Sequence, residues 1–304
     1  MYSVTIVAME EYSMPDSNQR TRLPNWFKVK KPGGINYLRL QKLLKNSELN
    51  TVCVEARCPN IGDCWDRLSA TFMILGDICT RSCRYCAVTT GRPYPVDMEE
   101  PYRLARTVKK LGLKYCVITS VDRDDLIDGG ASIFAACIDQ VRLETPDCKI
   151  EVLIPDFQGM EESLRIVLDA RPDVLNHNIE TVESVFHSVR PRGKYTQSLE
   201  LLERTKDIAS GVITKSGIML GLGEDWDEIL KTMADLRGKD CDLLTIGQYL
   251  QPSERHFPLK KFYTPQEFNI LRQEGLKLGF KHVASGPLIR SSYHADEQAA
   301  LVIH

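Results

Sequence analysis

The stretch Thr71–Val88 reads TFMILGDICTRSCRYCAV. Its opening, TFMIL, is a continuous apolar run and reads as a strand covered on both faces. Directly behind it come Cys79, Cys83 and Cys86, spaced C-x3-C-x2-C within eight residues. In sheets of parallel strands, chemistry sits at the carboxyl ends, and these three soft ligands stand at such an end.

The chain downstream repeats the strand and adds helices. Strands are expected at 115–121, 149–155, 174–180, 214–221 and 243–249, with a last short one at 281–287. Helices are expected at 99–111, 131–143, 161–170, 182–189, 197–209, 225–238 and 265–279, and a weak one at 36–46. Leu104, Val108 and Leu111 share a helical face, as do Trp226, Ile229, Leu230, Met233 and Leu236; both stripes read as core. Six βα units in series imply a parallel sheet with right-handed crossovers. Six is fewer than the eight of a closed barrel. The expected fold is α/β, a partial, open (β/α)6 TIM-like barrel; a doubly wound sheet is the second choice. The expected division is a flexible tail over residues 1–20, an N-terminal extension over 21–69, the barrel over 70–280 and a C-terminal segment over 281–304.

The 304 residues are 43% apolar and 26% charged, with a formal net charge of −2. This is an ordinary globular composition, with no global pull toward nucleic acid or membrane surfaces. No apolar run approaches a membrane span. The start, MYSVTIVAMEEYSM, lacks a basic lead and meets Glu10 and Glu11 at once, so it does not read as a secretory signal. A cytoplasmic location is expected, where ten cysteines are not a disulfide framework. Six of them, Cys53, Cys58, Cys64, Cys79, Cys83 and Cys86, crowd one short span, which argues for metal. Cys116, Cys137, Cys148 and Cys241 are scattered and read as small buried side chains.

Zinc sites favour paired C-x2-C knuckles, and here one stands alone. Iron–sulfur clusters accept short, varied cysteine spacings, so they are preferred over zinc. Three thiolates leave one iron of a 4Fe–4S cluster without a protein ligand. Upstream, CVEARCPNIGDCW supplies a second trio, Cys53, Cys58 and Cys64, spaced C-x4-C-x5-C and separated from the first by fourteen residues.

C-x3-C-x-aromatic-C after the first strand of a βα barrel, with Tyr85 as the aromatic residue, resembles the radical S-adenosylmethionine enzymes. With the second trio, and with VITSVDRDDLIDGGA, LNHNIETV, KSGIMLGLGE, IGQYLQPS and SGPLIRSSYHADE, the chain is similar to the lipoyl synthase family along most of its length. The resemblance implies two 4Fe–4S clusters. One, on Cys79, Cys83 and Cys86, chelates S-adenosyl-L-methionine through its open iron and splits it to a 5′-deoxyadenosyl radical. The other, an auxiliary cluster held by the two extensions, takes Cys53, Cys58, Cys64 and a serine of Arg290-Ser291-Ser292-Tyr293. Ser292 is assigned, with Ser291 as the alternative. The radical takes hydrogen from the sixth and then the eighth carbon of a protein-bound octanoyl-lysine, and the auxiliary cluster is sacrificed as sulfur source. The implied partners are octanoylated lipoyl carrier domains, such as the glycine-cleavage H-protein and the acyltransferase subunits of 2-oxoacid dehydrogenases, an electron donor and a cluster-repair protein. No nucleic acid or membrane is among them.

Asn176, Asn178 and Glu180 alternate along a strand and share a face, read as S-adenosylmethionine contacts with Tyr85. The plainer alternative is a polar layer at the barrel mouth. His177, facing the other way, reads as a packed histidine. Asp122, Asp124 and Asp125 lack a full calcium-loop pattern. Arg190 and Arg192 fit a carboxylate grip or a solvated loop equally well. The basic arm RLPNWFKVKKPGG, with Lys28, Lys30 and Lys31, reads as an extended surface strap that is solvated or steers an acidic carrier.

Three other readings compete. One is another radical sulfur-inserting enzyme, such as one resembling biotin synthase. The second is an iron–sulfur electron carrier without catalysis, which would not bind S-adenosylmethionine. The third is a zinc-stabilised interaction module, which would be colourless.

Overall fold

The computed structural model describes residues 23–302; the tail expected over residues 1–20 lies outside them. Helix α1 (Ile35–Asn46) leads to a short strand β1 (Asn50–Thr51), then to the small helices α2 (Val52–Glu55) and α3 (Ile61–Asp66). Strand β2 (Thr71–Ile74) follows, then two short strands β3 (Ile78–Cys79) and β4 (Thr89–Thr90), which pair with each other around the cysteine loop. From there the chain alternates: α4 (Glu100–Leu111), β5 (Tyr115–Ser120), α5 (Ala131–Glu144), β6 (Lys149–Leu153), α6 (Glu161–Asp169) and β7 (Val174–Asn176). Two helices, α7 (Glu183–Val189) and α8 (Tyr195–Ile208), precede β8 (Ile213–Leu220). The chain ends with α9 (Trp226–Gly238), β9 (Leu243–Gln248), α10 (Pro265–Leu278), β10 (His282–Gly286) and α11 (Ala295–Ala300).

Local chemistry explains the element ends. In α10, Thr264 and Glu267 form a reciprocal capping box, Pro265 opens the first turn, and Gly279 closes the helix at φ 96°, where a side chain would be strained. Asp225 and Glu228 box the start of α9 in the same way. Helix α4 buries Leu104, Ala105 and Val108 and ends at the left-handed Gly112.

The main sheet runs β1-β2-β5-β6-β7-β8-β9-β10. All pairs are parallel except β1 with β2. Six βα units run from β2 to α10, and β10 adds a seventh parallel strand. Strands β1 and β10 are the two edges, so the sheet stays open. It nevertheless curls, because Thr71 at one end of the order and Thr245 and Gly247 near the other line one cavity. Low in the barrel lies a polar layer. Lys215 reaches Glu151 at 3.1 Å, Tyr115 donates to the same carboxylate at 2.7 Å, and Asn176 Nδ2 donates to it at 3.1 Å. Lys215 and Glu151 have no exposure, and such a pair persists only when its hydrogen bonds are met in this way.

One strand departs from expectation. A continuous strand over 174–180 was expected, yet β7 ends at Asn176. Asn176 pairs with Lys215 and Glu180 with Ile218, so four residues advance on one side while three do on the other. The extra residue is a bulge, taken up with Glu180 at φ 72°.

The open seam is closed by the segments that flank the edge strands. Asn60 Nδ2 donates to the Leu288 carbonyl at 2.7 Å, and the Tyr293 hydroxyl donates to Asp63 at 3.1 Å. Arg67 bonds Glu297 at 2.6 Å and contacts the His294 ring. The stretch after β1 is thereby stitched to the stretch after β10. Among the described residues no helix is long and apolar enough to cross a membrane.

Candidate functional site

Two adjoining cavities occupy the barrel. The inner one, about 190 Å³, is bordered by Cys53, Cys58 and Cys64 on one side and by Ser291, Ser292 and Tyr293 on the other. The outer one, about 300 Å³, opens at the carboxyl ends of the strands and is bordered by Cys79, Cys83 and Cys86. Val52, Ala56, Leu153, Asn178, Glu180, Met219 and Arg290 line both, so the two form one passage whose waist is part apolar and part polar.

The inner trio is built by short local turns. The Cys58 amide donates to the Cys53 carbonyl at 3.0 Å, and the Cys64 amide to the Asn60 carbonyl at 2.9 Å. The arm seen in the sequence runs across this turn. A side chain at Gly62 would meet the Lys30 carbonyl and, at 2.9 Å, the Pro32 nitrogen; Lys30 is anchored to Asp66. On the facing segment, Ser291 Oγ donates to Asn178 Oδ1 at 2.9 Å. Ser292 has no hydrogen-bond partner among the described residues, and it faces the cavity with the three thiols.

The outer trio sits in a loop held from four directions. Arg81, between Cys79 and Cys83, grips Asp124 with Nε and Nη2, both at 2.8 Å. It grips Asp156 with Nη1 at 2.9 Å and Nη2 at 2.7 Å. The Thr80 amide donates to the Asp122 carbonyl, the Arg84 amide to the Val189 carbonyl, and the Phe257 amide to the Arg84 carbonyl. His256 Nε2 lies 3.0 Å from the Cys86 carbonyl and Nδ1 lies 2.8 Å from Ser253 Oγ. Arg192 reaches the Thr80 carbonyl at 3.1 Å.

Burial sets the charge state of the thiols. It pushes Cys53 up to about 11 and Cys64 to about 12, with neighbouring thiols adding to the effect. It pushes Cys83 to about 12 against the pull of Arg190, and Cys86 to about 11. Cys79 is raised as well, by burial and then by Asp122. The nearby arginines do not offset burial, so these groups stay protonated, and a metal taken up here would displace their protons. Among the described residues no group of three or more His, Cys, Asp or Glu is arranged to hold a single metal ion. Each trio instead borders a cavity, and three soft thiols around a void fit a multi-iron cluster.

Asn178 and Glu180 face the passage, and Tyr85 lines its outer half. Burial pushes the Glu180 carboxyl up, against Arg190 and against hydrogen bonds from Asn178 and Tyr85. A polar chain thus runs Tyr85–Glu180–Asn178–Ser291, from beside Cys86 to beside Ser292. Asn176 does not join it, being held a layer lower by Glu151. His177 is buried between Ile154 and Ser198. The Ile154 carbonyl only accepts, so Nδ1 carries the proton and Nε2 accepts from the serine hydroxyl.

Sequence reasoning missed several residues here. Arg81, Asp156 and His256 carry no motif weight alone. Of the two readings left open for Arg190, the solvated loop is excluded: it is buried, beside Asp156 at 3.6 Å. The aspartates of the loop after β5 are salt-bridge partners: Asp122 and Asp124 of Arg81, and Asp125 of Arg123.

Comparison with known proteins converges on one family. Residues 73–236 match the Radical SAM superfamily and residues 5–58 the N-terminal domain of lipoyl synthase of that family. Lipoyl synthase from Rubrobacter xylanophilus is 57% identical over 90% of this chain and 86% of the relative. That from Koribacter versatilis is 53% identical over 91% of each. Methylornithine synthase (PylB) superposes with a TM-score of 0.54 at 16% identity, over 74% of this chain and 75% of that one. The maturase HydG from Carboxydothermus hydrogenoformans superposes at 0.52 and 15%, over 76% and 64%. These two show the shared fold alone. With both cysteine trios on one passage and relatives of this identity over nearly the whole chain, the protein belongs to the lipoyl synthase family of radical S-adenosylmethionine enzymes.

Proposed function

We propose that the chain inserts two sulfur atoms into a protein-bound octanoyl-lysine, at its sixth and eighth carbons, giving the lipoyl group. The observation that carries this reading is the passage itself. Its two ends are bordered by two separate cysteine trios, and where the two cavities join, Val52, Ala56, Leu153 and Met219 offer apolar surface to an acyl chain beside the polar Asn178, Glu180 and Arg290. When bound, two 4Fe–4S clusters and S-adenosyl-L-methionine supply the electron, the 5′-deoxyadenosyl radical and the sulfur.

The residues divide the work by position. Cys79, Cys83 and Cys86 hold the outer cluster on a loop fixed by Arg81. Cys53, Cys58 and Cys64 hold the inner one, with Ser292 as fourth ligand because its hydroxyl is free while Ser291 is spent on Asn178. A serine oxygen is a hard ligand among soft ones, which makes its iron the easiest to release. Tyr85, Asn178 and Glu180 orient S-adenosylmethionine at the outer cavity; Asn176 supports them from below through Glu151. The stitched seam holds the two flanking segments together over the open side of the sheet, where a radical needs shelter from side reactions. The partners in this reading are octanoylated carrier domains such as the glycine-cleavage H-protein and the 2-oxoacid dehydrogenase acyltransferases, an electron donor and a protein that rebuilds the spent cluster.

The reconstituted chain, kept anaerobic and given S-adenosylmethionine, a strong reductant and an octanoyl-lysyl peptide, is expected to yield a peptide with two added sulfurs plus 5′-deoxyadenosine by mass spectrometry. Deoxyadenosine without sulfur transfer would redirect the search to another substrate. Neither product, from a chain holding both clusters, would favour an electron carrier.

A further inference from the structure

Arg290 opens the run that carries Ser291 and Ser292, and its side chain lines both cavities. Its carbonyl accepts from the Tyr293 amide at 2.9 Å, closing the turn that presents the serines. Its guanidinium makes one hydrogen bond, from Nη1 to the neighbouring Ile289 carbonyl at 2.6 Å. Among the described residues no carboxylate pairs with it. The three buried arginines of the site are each matched by carboxylates, Arg81 by Asp124 and Asp156, Arg123 by Asp125 and Arg190 by Asp156; the exposed Arg84 and Arg192 bond to backbone carbonyls of Ser188 and Thr80.

A guanidinium stays charged even when buried. Arg290 is half-buried, and with no carboxylate beside it among the described residues its charge is left unmatched in the two cavities it lines. Its Nη1 sits on the Ile289 carbonyl, and Ile289 and Gly247 line the inner cavity but not the outer one. Strand β9 also yields to Arg290. A side chain at Gly247 would strike the Ile289 carbonyl and stand 3.2 Å from Arg290 Nη1.

We propose that Arg290 is the built-in counter-charge of the inner cluster, balancing the negative charge that Cys53, Cys58, Cys64 and Ser292 bring as iron ligands and setting that cluster's reduction potential. This rests on the assignment of the inner trio to a cluster made above. Three thiolates and an alkoxide outweigh the positive charge of the cluster core, so the loaded site is an anion. A fixed positive charge beside it favours the reduced state, since cluster potentials follow net local charge.

The test uses the full chain loaded with both clusters, as Arg290→Gln and Arg290→Lys beside the parent. Iron and sulfide are counted, and midpoints are read by potentiometric EPR, with the S-adenosylmethionine-sensitive signal marking the outer cluster. Arg290→Gln is expected to move the inner midpoint to more negative potential. Arg290→Lys keeps it near the parent, and the outer midpoint stays put in both. Loss of the inner cluster from Arg290→Gln but not from Arg290→Lys would support the same conclusion. An unchanged inner midpoint in a fully loaded Arg290→Gln overturns the proposal. So does equal loss of cluster from both variants, which would make the side chain's shape the requirement, or a shift confined to the outer cluster. A parent chain that holds about four irons rather than about eight, unaffected by Cys58→Ala, would remove the cluster assignment itself and the proposal with it.

Discussion

Gly247 lacks a side chain because the Ile289 carbonyl occupies the place of one. Gly247→Ala is therefore expected to push the segment that carries Arg290 and Ser292 away from β9, with an overpacking penalty of about 1–3 kcal/mol. Iron analysis should show the inner cluster lost and the outer one kept, with a lowered melting temperature. The two serines separate in the same experiment. Ser292→Ala is expected to abolish sulfur transfer while 5′-deoxyadenosine still forms. Ser291→Ala leaves every proposed ligand in place, removes only the bond to Asn178, and should slow turnover without abolishing it. At this scale the cysteines were legible because each trio is local, all its spacings being five residues or fewer. Arg81, His256 and Arg290 were not. Arg81 meets Asp156 across 75 positions and His256 meets Cys86 across 170, and a single sequence carries no trace of such meetings.

The strands and helices of the repeating units were readable to within a residue or two, because strands buried on both faces are continuous apolar runs and the helices between them carry stripes and caps; the short elements β1, α2, α3, β3, β4 and α11 around the ligand segments were not read from the sequence. Strand β7 was the exception: its bulge follows from pairing with β8 and leaves no local mark in LNHNIE. The loops after the strands carry the testable energetics. Arg81 joins the cysteine loop to the loops after β5 and β6, and its partner Asp156 has no side-chain exposure. Arg81→Met strands that carboxylate and is expected to destabilise the fold by about 3–5 kcal/mol. Arg81→Lys should recover part of this, since one ammonium cannot reproduce a two-sided fork; chemical denaturation of both variants measures it. Acid acts on the same loops. Burial, and then the charge of Arg190, hold His177 down to about 4 from 6.5. Burial resists the ionisation of Asp156, but Arg81 overrides it and holds the carboxyl at about 2, from 3.8. Both folded values lie below the unfolded ones, so the unfolded chain binds more protons as pH falls. The share from His177 is whole above about pH 6.5 and drains toward about pH 4, and the share from Asp156 drains from about pH 4 to about pH 2. The melting temperature should thus fall already between about pH 7 and pH 5, and His177→Gln should flatten that first fall.

For the whole molecule, the open sheet is the feature that makes the site. A closed barrel would have no edges, and here the two edges deliver the two halves of the inner ligand set: the cysteines follow β1 and the serines follow β10. The sequence showed six repeating units and therefore the opening, but not that its flanks would be stitched together by Asn60, Asp63 and Arg67. The arm and α1 lie on the same side, since Lys30 and Asn36 both bond to Asp66 of α3. From Leu23 to Ser47 the chain has six cations, Lys28, Lys30, Lys31, Arg39, Lys42 and Lys45, and no Asp or Glu. Lys30 is matched by Asp66; the other five have no acidic partner among the described residues. An exposed unmatched stripe of one sign beside a substrate site speeds encounter with a partner of the other sign and loses that advantage in salt. Charge reversal at Lys28, Lys31 and Lys42 is expected to lower kcat/KM toward an intact acidic octanoyl carrier by about tenfold at low ionic strength. The rate with a short octanoyl-lysyl peptide should stay unchanged, because the passage and its ligands are untouched. Added salt should bring the parent down toward the variant on the carrier. Equal slowing on peptide and carrier would instead place the damage in the arm's grip on Gly62 and the inner trio, and remove the stripe from recognition.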